Sequence, residues 1–420
     1  IPFALILIPL FLGLFYGIST LVFSFLNPKK NLLSILILTT SLSVVEYFRS
    51  LIFGGFPWNL IAFSFVNYLE FIQLLSLTGT YTFNSLIILF FLLPIIIFFD
   101  YEKKIKISIL IFSALLVCVN YFWGKSNLRQ YELKEKIDLG FTIKIISPKI
   151  NINRYFQNEN PSEFLSELIN ISEPNPANKT IFILPEGILS SIYFEDLKKF
   201  KKLFSNGFSK KHKIILGMNI YENEKIYNSL LVLNNELNVL DKYYKNKLVP
   251  FGEFLPFEKI LRNFGFKKVT QGYQSFSAGS RRDLIKLNNY NFLPLICYEV
   301  IYSGKINKSE KNYDFILNIS EDGWFGNSIG PYQHYNHLIF RSIEEGKAVL
   351  RSSNNGISAY ISPKGQVIDK ILTTDKGFIE LNSFKKSNKT IFSSQGNKIF
   401  FYFLFIYISL IFFFKIRENQ

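Results

Sequence analysis

Two kinds of hydrophobic pattern divide this chain. In the first 120 residues apolar positions run almost without a break, in stretches from Phe3 to Leu26, Leu32 to Phe53, Leu74 to Phe99 and Ile105 to Trp123; a fifth, Ile399 to Phe414, closes the chain. Crossing the hydrocarbon of a bilayer takes about 20 apolar residues, so all five are read as membrane spans. Between the fourth and the fifth the pattern changes to short apolar runs separated by polar turns. Thr142 to Ile146, Thr180 to Leu184, Lys213 to Met218, Ser229 to Leu233, Phe292 to Cys297 and Phe315 to Ile319 read as strands. Pro161 to Ile171, Tyr193 to Phe204 (with a basic face) and Tyr332 to Glu345 read as helices. Asn354-Asn355-Gly356, between Ala348-Val349-Leu350 and Ile357 to Ile361, is a hairpin signal. Strands alternating with helices predict a layered α/β domain. No internal repeat is evident.

The expected division is four spans over residues 1–123, an α/β domain over 124–396, and a last span with a short tail over 397–420. Basic residues orient it. Lys29-Lys30, the group Lys103, Lys104 and Lys106, and the pair Lys415 and Arg417 fall on one side if each stretch crosses once. That side is the cytoplasm by the positive-inside rule, so Gly54-Gly55-Phe56-Pro57-Trp58 and the α/β domain face the other way. The chain starts Ile1-Pro2 and enters an apolar run without a basic leader, which reads as a missing beginning and not as a signal peptide.

Composition adds little beyond this. A net charge of +15 suits an anionic partner, membrane surface or nucleic acid, but the Lys, Ile and Asn bias dilutes that signal and the basic residues form no nucleic-acid motif. Two cysteines and three histidines are too few for a disulfide framework or a multi-cysteine metal site.

Candidate chemistry lies at strand ends. Glu186 follows Thr180 to Leu184 in FILPEG, Lys245 and Glu253 lie in YYKNKLVPFGEF, and Cys297 and Glu299 lie in PLICYE. Cys118, inside the fourth apolar stretch, is a small hydrophobe. Gathered at one sheet edge, a carboxylate, an ammonium and a thiol make an acyl-transfer site. The carboxylate takes the thiol proton, the ammonium lowers the thiol pKa and steadies an oxyanion, and the thiolate attacks a carbonyl. Glu46 and Arg49, three apart on one helix face, are either a structural ion pair or a site for a polar lipid headgroup. Gly326-Asn327-Ser328-Ile329-Gly330 fits G-x-S-x-G, but no acid lies between Ser328 and His334 or His337, which leaves a serine mechanism without its relay. The histidines line a polar pocket or cap the helix. The segment from Phe254 to Asp283, with Phe257, Leu261, Phe264, Phe266, Tyr273 and Phe276 among cations, is either an aromatic lid on the interface or a surface excursion.

FILPEG, YYKNKLVPFGEFLPF, LICYE, ISEDGWFG and LRSSNNGISAYISPKG resemble the nitrilase-like, carbon–nitrogen hydrolase superfamily. LVPFGEFLPF, CYE, DGWFGNSIGPYQH, RSSNNG and the membrane segment VEYFRSLIFGGFPW are similar to its membrane-embedded branch, the bacterial apolipoprotein N-acyltransferases, over nearly the whole chain. The resemblance implies a nitrilase-like αββα sandwich on a transmembrane helical bundle in the bacterial inner membrane, with the catalytic domain on the periplasmic side. It implies Glu186 as general base, Lys245 as electrostatic partner, preferred over Lys247 by its spacing before Phe-Gly-Glu, and Cys297 as the acylated nucleophile. Glu253, Tyr298 and Glu299 match supporting positions, and Trp324, His334, Glu46 and Arg49 are candidate substrate or lipid contacts. The implied reaction moves an acyl chain from a phospholipid, through a Cys297 thioester, to the α-amine of a diacylglyceryl-modified N-terminal cysteine on an apolipoprotein. No cofactor or metal is implied, and a monomer is expected. The runner-up is a membrane-bound amidase or nitrilase with the same three groups; a catalytically dead lipid- or lipoprotein-binding protein is the reading from another class. Two departures stand out. The family has eight spans against five here, which implies three ahead of Ile1, and Glu321 stands where close relatives often carry Asn.

Overall fold

The computed structural model of the protein describes residues 2–26, 28, 31–55, 57–155, 160–189, 192–263, 265, 275–306 and 312–418. Lys29, Lys30, Phe56, Phe264, Phe266 and Tyr273, used in the expectations above, lie outside them.

Five described helices are long and apolar enough to cross a membrane: Ile6–Leu26, Leu32–Arg49, Leu75–Phe98, Lys103–Glu132 and Lys398–Ile416. Asn31 caps the second, its side chain accepting from the Leu33 and Ser34 N–H groups, as a short polar side chain does for the unpaired first turn. The third breaks at Gly79, whose φ of 70° is outside helical range. The fourth continues past Trp123 to Glu132, and Leu128 and Tyr131 near its end are buried, the Tyr131 hydroxyl donating to the Lys385 carbonyl.

The region between is an αββα sandwich. One six-stranded sheet has the order β12-β1-β2-β3-β4-β5, from Gly377–Phe384, Ile137–Ser147, Thr180–Ile183, His212–Glu222, Lys225–Asn234 and Val239–Tyr244. The other has the order β11-β10-β9-β8-β7-β6, from Val367–Ile371, Ser358–Ile361, Ala348–Asn354, Phe315–Glu321, Tyr290–Ile296 and Ile285–Leu287. In each sheet the middle three strands are parallel (β1-β2-β3 and β7-β8-β9) and the flanking ones antiparallel. Parallel strands covered on both faces read as unbroken apolar runs, which is why TIFI and FILNIS were visible in the sequence.

Apolar side chains of both sheets meet in one core that includes Ile143, Ile183, Ile215, Phe292, Phe315, Leu317 and Leu350. The helix Pro161–Ser172 and the segment Phe194–Gly207 cover the first sheet through Leu165, Leu168, Phe194 and Phe204. That segment is not one helix: it passes from Phe194–Leu197 through a tighter turn, Lys198–Phe200, into Lys201–Gly207. The helix Gly330–Glu345 covers the second sheet, and its core continues without a break into the membrane helices, joining Leu338, Phe340 and Leu293 to Tyr47, Trp58, Tyr81 and Phe400.

Polar groups seal this junction. The Glu344 carboxylate accepts from the Thr80 N–H at 2.6 Å, the Thr80 hydroxyl at 2.7 Å and the Ser303 hydroxyl at 2.7 Å, and pairs with Arg341 at 2.8 Å. Tyr298 and Tyr302 donate their phenol protons to the carbonyls of Gly55 and Gly54. Gly55 sits at φ 81°, and a Cβ there would lie 2.2 Å from the Ser50 carbonyl oxygen, so this turn requires glycine.

Candidate active site

Glu186, Lys245 and Cys297 come from three strand ends at the carboxyl edge of the parallel strands, where ligand sites of open α/β sheets collect. Glu186 follows β2 by three residues, and the chain stays in register because the Leu184 N–H donates to Ile215 and the Gly217 N–H to Pro185. A Cβ on Gly217 would come within 2.5 Å of the Glu186 Cα, so the absence of a side chain lets β3 pass close behind the carboxylate. Lys245 follows β5, its N–H donating to the Asn228 carbonyl on β4 at 2.9 Å. Cys297 follows β7 and opens a 3₁₀ turn, Cys297–Ile301, at φ 50°. The sequence placed it in the strand. The structure puts it on an elbow, in a left-handed conformation that L-residues adopt at a cost.

The Lys245 ammonium is buried between two carboxylates, 3.1 Å from Glu186 Oε1 and 2.8 Å from Glu253 Oε1. Asn228 donates to the same two oxygens, at 2.7 and 2.9 Å. The second oxygens are held by backbone: the Glu321 N–H donates to Glu186 Oε2 at 3.0 Å and the Val249 N–H to Glu253 Oε2 at 2.9 Å. Burial disfavours the Lys245 charge, but Glu186 and Glu253 outweigh it and hold the ammonium well above the usual lysine range. Lys247 instead gives its backbone N–H to Glu299.

The thiol behaves differently from what the sequence suggested. Lys245 lowers the Cys297 pKa, but burial first and the neighbouring Glu186 charge second push it well above the usual thiol range. Cys297 therefore rests as a neutral thiol beside a carboxylate and an ammonium, and needs a base at the moment it reacts.

Glu299 is fully buried and acts as a hub. Its carboxylate accepts from the Tyr243 hydroxyl, the Asn246, Lys247 and Ile296 N–H groups, and Arg282 at 2.7 Å. It thereby ties the loop after Lys245 to the turn that carries Cys297.

A second buried group underlies the thiol. Asp322 accepts from Ser320 and Arg351, and stands 3.0 Å from His334 Nδ1. Burial raises its pKa, but Arg351 and then His334 outweigh this and hold its carboxyl well below the usual range. Burial lowers the His334 pKa; the neutral ring donates through Nε2 to the Cys297 carbonyl at 3.2 Å, and its Nδ1 accepts from Arg351 at 3.2 Å. His334 is thus turned inward to the elbow and has no exposed surface. Trp58 stacks on Tyr298 and on His334, with ring centroids 6.0 and 5.6 Å apart, and donates to Gln333. Trp324 is 39% exposed.

Glu46 and Arg49 lie apart from this cluster, between membrane helices. Arg49 donates to the Tyr16 hydroxyl at 2.9 Å and stands 4.0 Å from Glu46, which accepts from Asn84. Arg49 Nε and Nη2 have no hydrogen-bond partner among the described residues. Ser328 is exposed, its hydroxyl accepting the Gly330 N–H, while the buried Asp322 and His334 are committed to the elbow. Phe257 is 70% exposed, and the Phe276 N–H donates to the Glu253 carbonyl.

Asn228, Tyr243 and Arg282 escaped the sequence reading. Each lies on a strand or loop whose neighbours are set by sheet pairing, so no local pattern marks it. RSSNNG did contain Arg351, but nothing in its spacing pointed to Asp322.

Residues 195–379 match the carbon–nitrogen hydrolase family, and residues 1–93 match the apolipoprotein N-acyltransferase N-terminal domain. Among curated relatives, the apolipoprotein N-acyltransferase of Wigglesworthia glossinidia brevipalpis is 30% identical over 420 residues, covering 98% of this chain and 82% of that protein. The chain belongs to the apolipoprotein N-acyltransferase family. The Rickettsia prowazekii protein of the same name is 31% identical, covering 94% of this chain and 79% of that one. A carbon–nitrogen hydrolase superfamily protein of Xanthomonas campestris, solved with an arsenic adduct in its active site, overlays with a TM-score of 0.40 at 15% identity, covering 58% of this chain and 90% of that one. A nitrilase-superfamily protein of Saccharomyces cerevisiae gives 0.41 at 17%, covering 62% and 93%. With five long apolar helices among its described residues, the chain is a multi-pass bacterial membrane protein of this family.

Proposed function

We propose that the chain transfers a fatty acyl group from a phospholipid to Cys297 and then to the α-amine of an N-terminal diacylglyceryl-cysteine on an apolipoprotein. The observation that carries this reading is the convergence of Glu186, Lys245 and Cys297 at the edge of the sandwich, beside a thiol turn bonded directly to the membrane segment Gly54-Gly55. The relatives' name supports the substrates. On this reading residues 1–123 and 397–420 are the membrane part and 124–396 the catalytic domain, on the periplasmic side of the inner membrane.

Glu186 removes the Cys297 proton as sulfur attacks the ester carbonyl, and Lys245 balances the negative charge that develops. Collapse breaks the ester C–O bond, the leaving alkoxide takes the proton from Glu186, and a lysophospholipid departs from the thioester. The acceptor amine then attacks the thioester, gives its proton to Glu186, and releases the amide while the sulfur regains a proton. Glu253 and Asn228 hold the base and the cation in place throughout. Arg49 is the candidate contact for the donor headgroup, through the nitrogens left without acceptors.

Intact-protein mass spectrometry after incubation with phospholipid tests this reading. A hydroxylamine-sensitive acyl adduct on the wild type, absent from Cys297→Ala, is expected. No adduct with any phospholipid, together with ammonia release from small amides, would turn the reading to an amidase.

A further inference from the structure

A cleft of about 620 Å³ opens beside the site, on the other side of the turn that ends β8. Its walls include Lys149, Asn151, Gly323, Asn327, Tyr332 and Asn355. The turn is shared: the Glu321 N–H donates to Glu186, while the Glu321 side chain accepts from Gly323, Asn354 and Asn355 on the cleft side. Gln333, one residue beyond Tyr332, accepts from Trp58 of the membrane segment.

Its chemistry is polar with an apolar rim. Asn151, Asn327 and Asn355 line it; the Asn355 amide donates to Ile150 and Glu321 and the Asn151 oxygen accepts from Asn153, whereas the exposed Asn327 carboxamide, with its donors and its acceptor, makes no such bond among the described residues. Ile329 and Tyr332 stand 68% and 48% exposed beside it. One cation lines it, Lys149, and its ammonium is bonded to the Thr374 carbonyl. A phosphate headgroup calls for several uncommitted cations, whereas neutral polar side chains such as Asn327, beside the exposed Tyr332 ring, suit a polypeptide main chain.

We propose that this cleft binds the polypeptide that follows the modified cysteine of the acceptor, and so sets acceptor affinity. The inference rests on the acyl-transfer reading for the identity of the acceptor.

The test uses the full chain in detergent and synthetic acceptors: a diacylglyceryl-cysteine amide alone, and the same group followed by two, four or six residues. Binding is read by fluorescence anisotropy and transfer by KM. The longer acceptors should bind about tenfold tighter than the bare lipidated cysteine, the worth of one or two side-chain hydrogen bonds. Asn327→Ala and Tyr332→Ala, both at the surface, should each shrink that length dependence toward unity. Equal affinity for all lengths in the wild type, or an undiminished length dependence in both variants, overturns the inference. Because binding is read without chemistry, a length-dependent affinity without an acyl adduct would keep the cleft and discard the transferase reading.

Discussion

Replacing Glu299 by Gln changes one atom and removes one charge from the most heavily bonded carboxylate of the site. Oε1 accepts from Asn246 N–H at 2.9 Å, Lys247 N–H at 3.0 Å and Arg282 at 2.7 Å, and Oε2 accepts from Ile296 N–H at 2.9 Å. With the amide oxygen at the Oε1 position, the NH₂ faces the Ile296 N–H; flipped, it faces Asn246, Lys247 and Arg282. Even in the better orientation one buried donor loses its acceptor and Arg282 loses its counter-charge. Hydrogen bonds to charged groups contribute about 1.5–3 kcal/mol, and breaking a buried ion pair costs about 3–5 kcal/mol, so the variant should lose about 4 kcal/mol. At about 2–4 °C per kcal/mol for a domain of this size, the melting temperature should fall by roughly 10 °C. Thermal unfolding in detergent, followed by intrinsic fluorescence, measures it. Arg282→Met should cost a similar amount, and the double variant should fall short of the sum by about 1–3 kcal/mol because both changes break one pair. A shift of Glu299→Gln within error of the wild type, or strict additivity with Arg282→Met, would refute the hub.

Asn228→Asp places a third carboxylate against Glu186 and Glu253; like charges raise one another's pKa, so the acid limb of the pH–rate profile for Cys297 acylation should move up by roughly 1–2 units, and an unmoved limb would remove Asn228 from the site. Glu345, buried beside Glu344 and bonded to Tyr313, is pushed up to about 7 by burial. Its folded pKa lies above the unfolded value, so its stabilisation is full below about pH 4.5 and is lost as pH rises through 7, about 3 kcal/mol in all. Melting temperature should therefore drop between pH 5 and 8, and Glu345→Gln should flatten that slope; an equally steep slope in the variant would locate the effect elsewhere.

How legible the chain was depends on where each signal is stored. All five membrane helices were legible because length and unbroken apolarity are local properties, although the second ends at Arg49, short of Phe53, and the fourth runs on past Trp123 to Glu132. The buried parallel strands were read for the same reason. Four strands were missed. β11 is exposed along most of its length and β6 has three residues, so neither carries an apolar run, and β5 carries Asp241 and Lys242 in its middle. β12 does alternate, with Ile379 and Leu381 inward and Glu380 outward, and its period of two was a signal left unused. In the site, Glu186, Lys245 and Cys297 were named from strand ends and from resemblance. The state of the thiol was not, because its proton is decided by burial and by the Glu186 charge, which exist only after two sheets have closed on one another. Asn228 was invisible for the same reason: its function is a position on β4 opposite two carboxylates supplied by distant segments.

The polar seal between Glu344, Arg341, Thr80 and Ser303 has a practical consequence for anyone wishing to handle the sandwich alone. Cutting away the membrane helices would strip Thr80 from a carboxylate it serves twice, and would open the core that Leu338 and Phe340 share with Tyr81 and Phe400. The cut face would be greasy and charged at once, a surface that neither water nor detergent covers well. A secreted, helix-free enzyme is therefore an unsuitable target for protein production from this chain; sandwich and helices should be expressed, extracted and crystallised as one body.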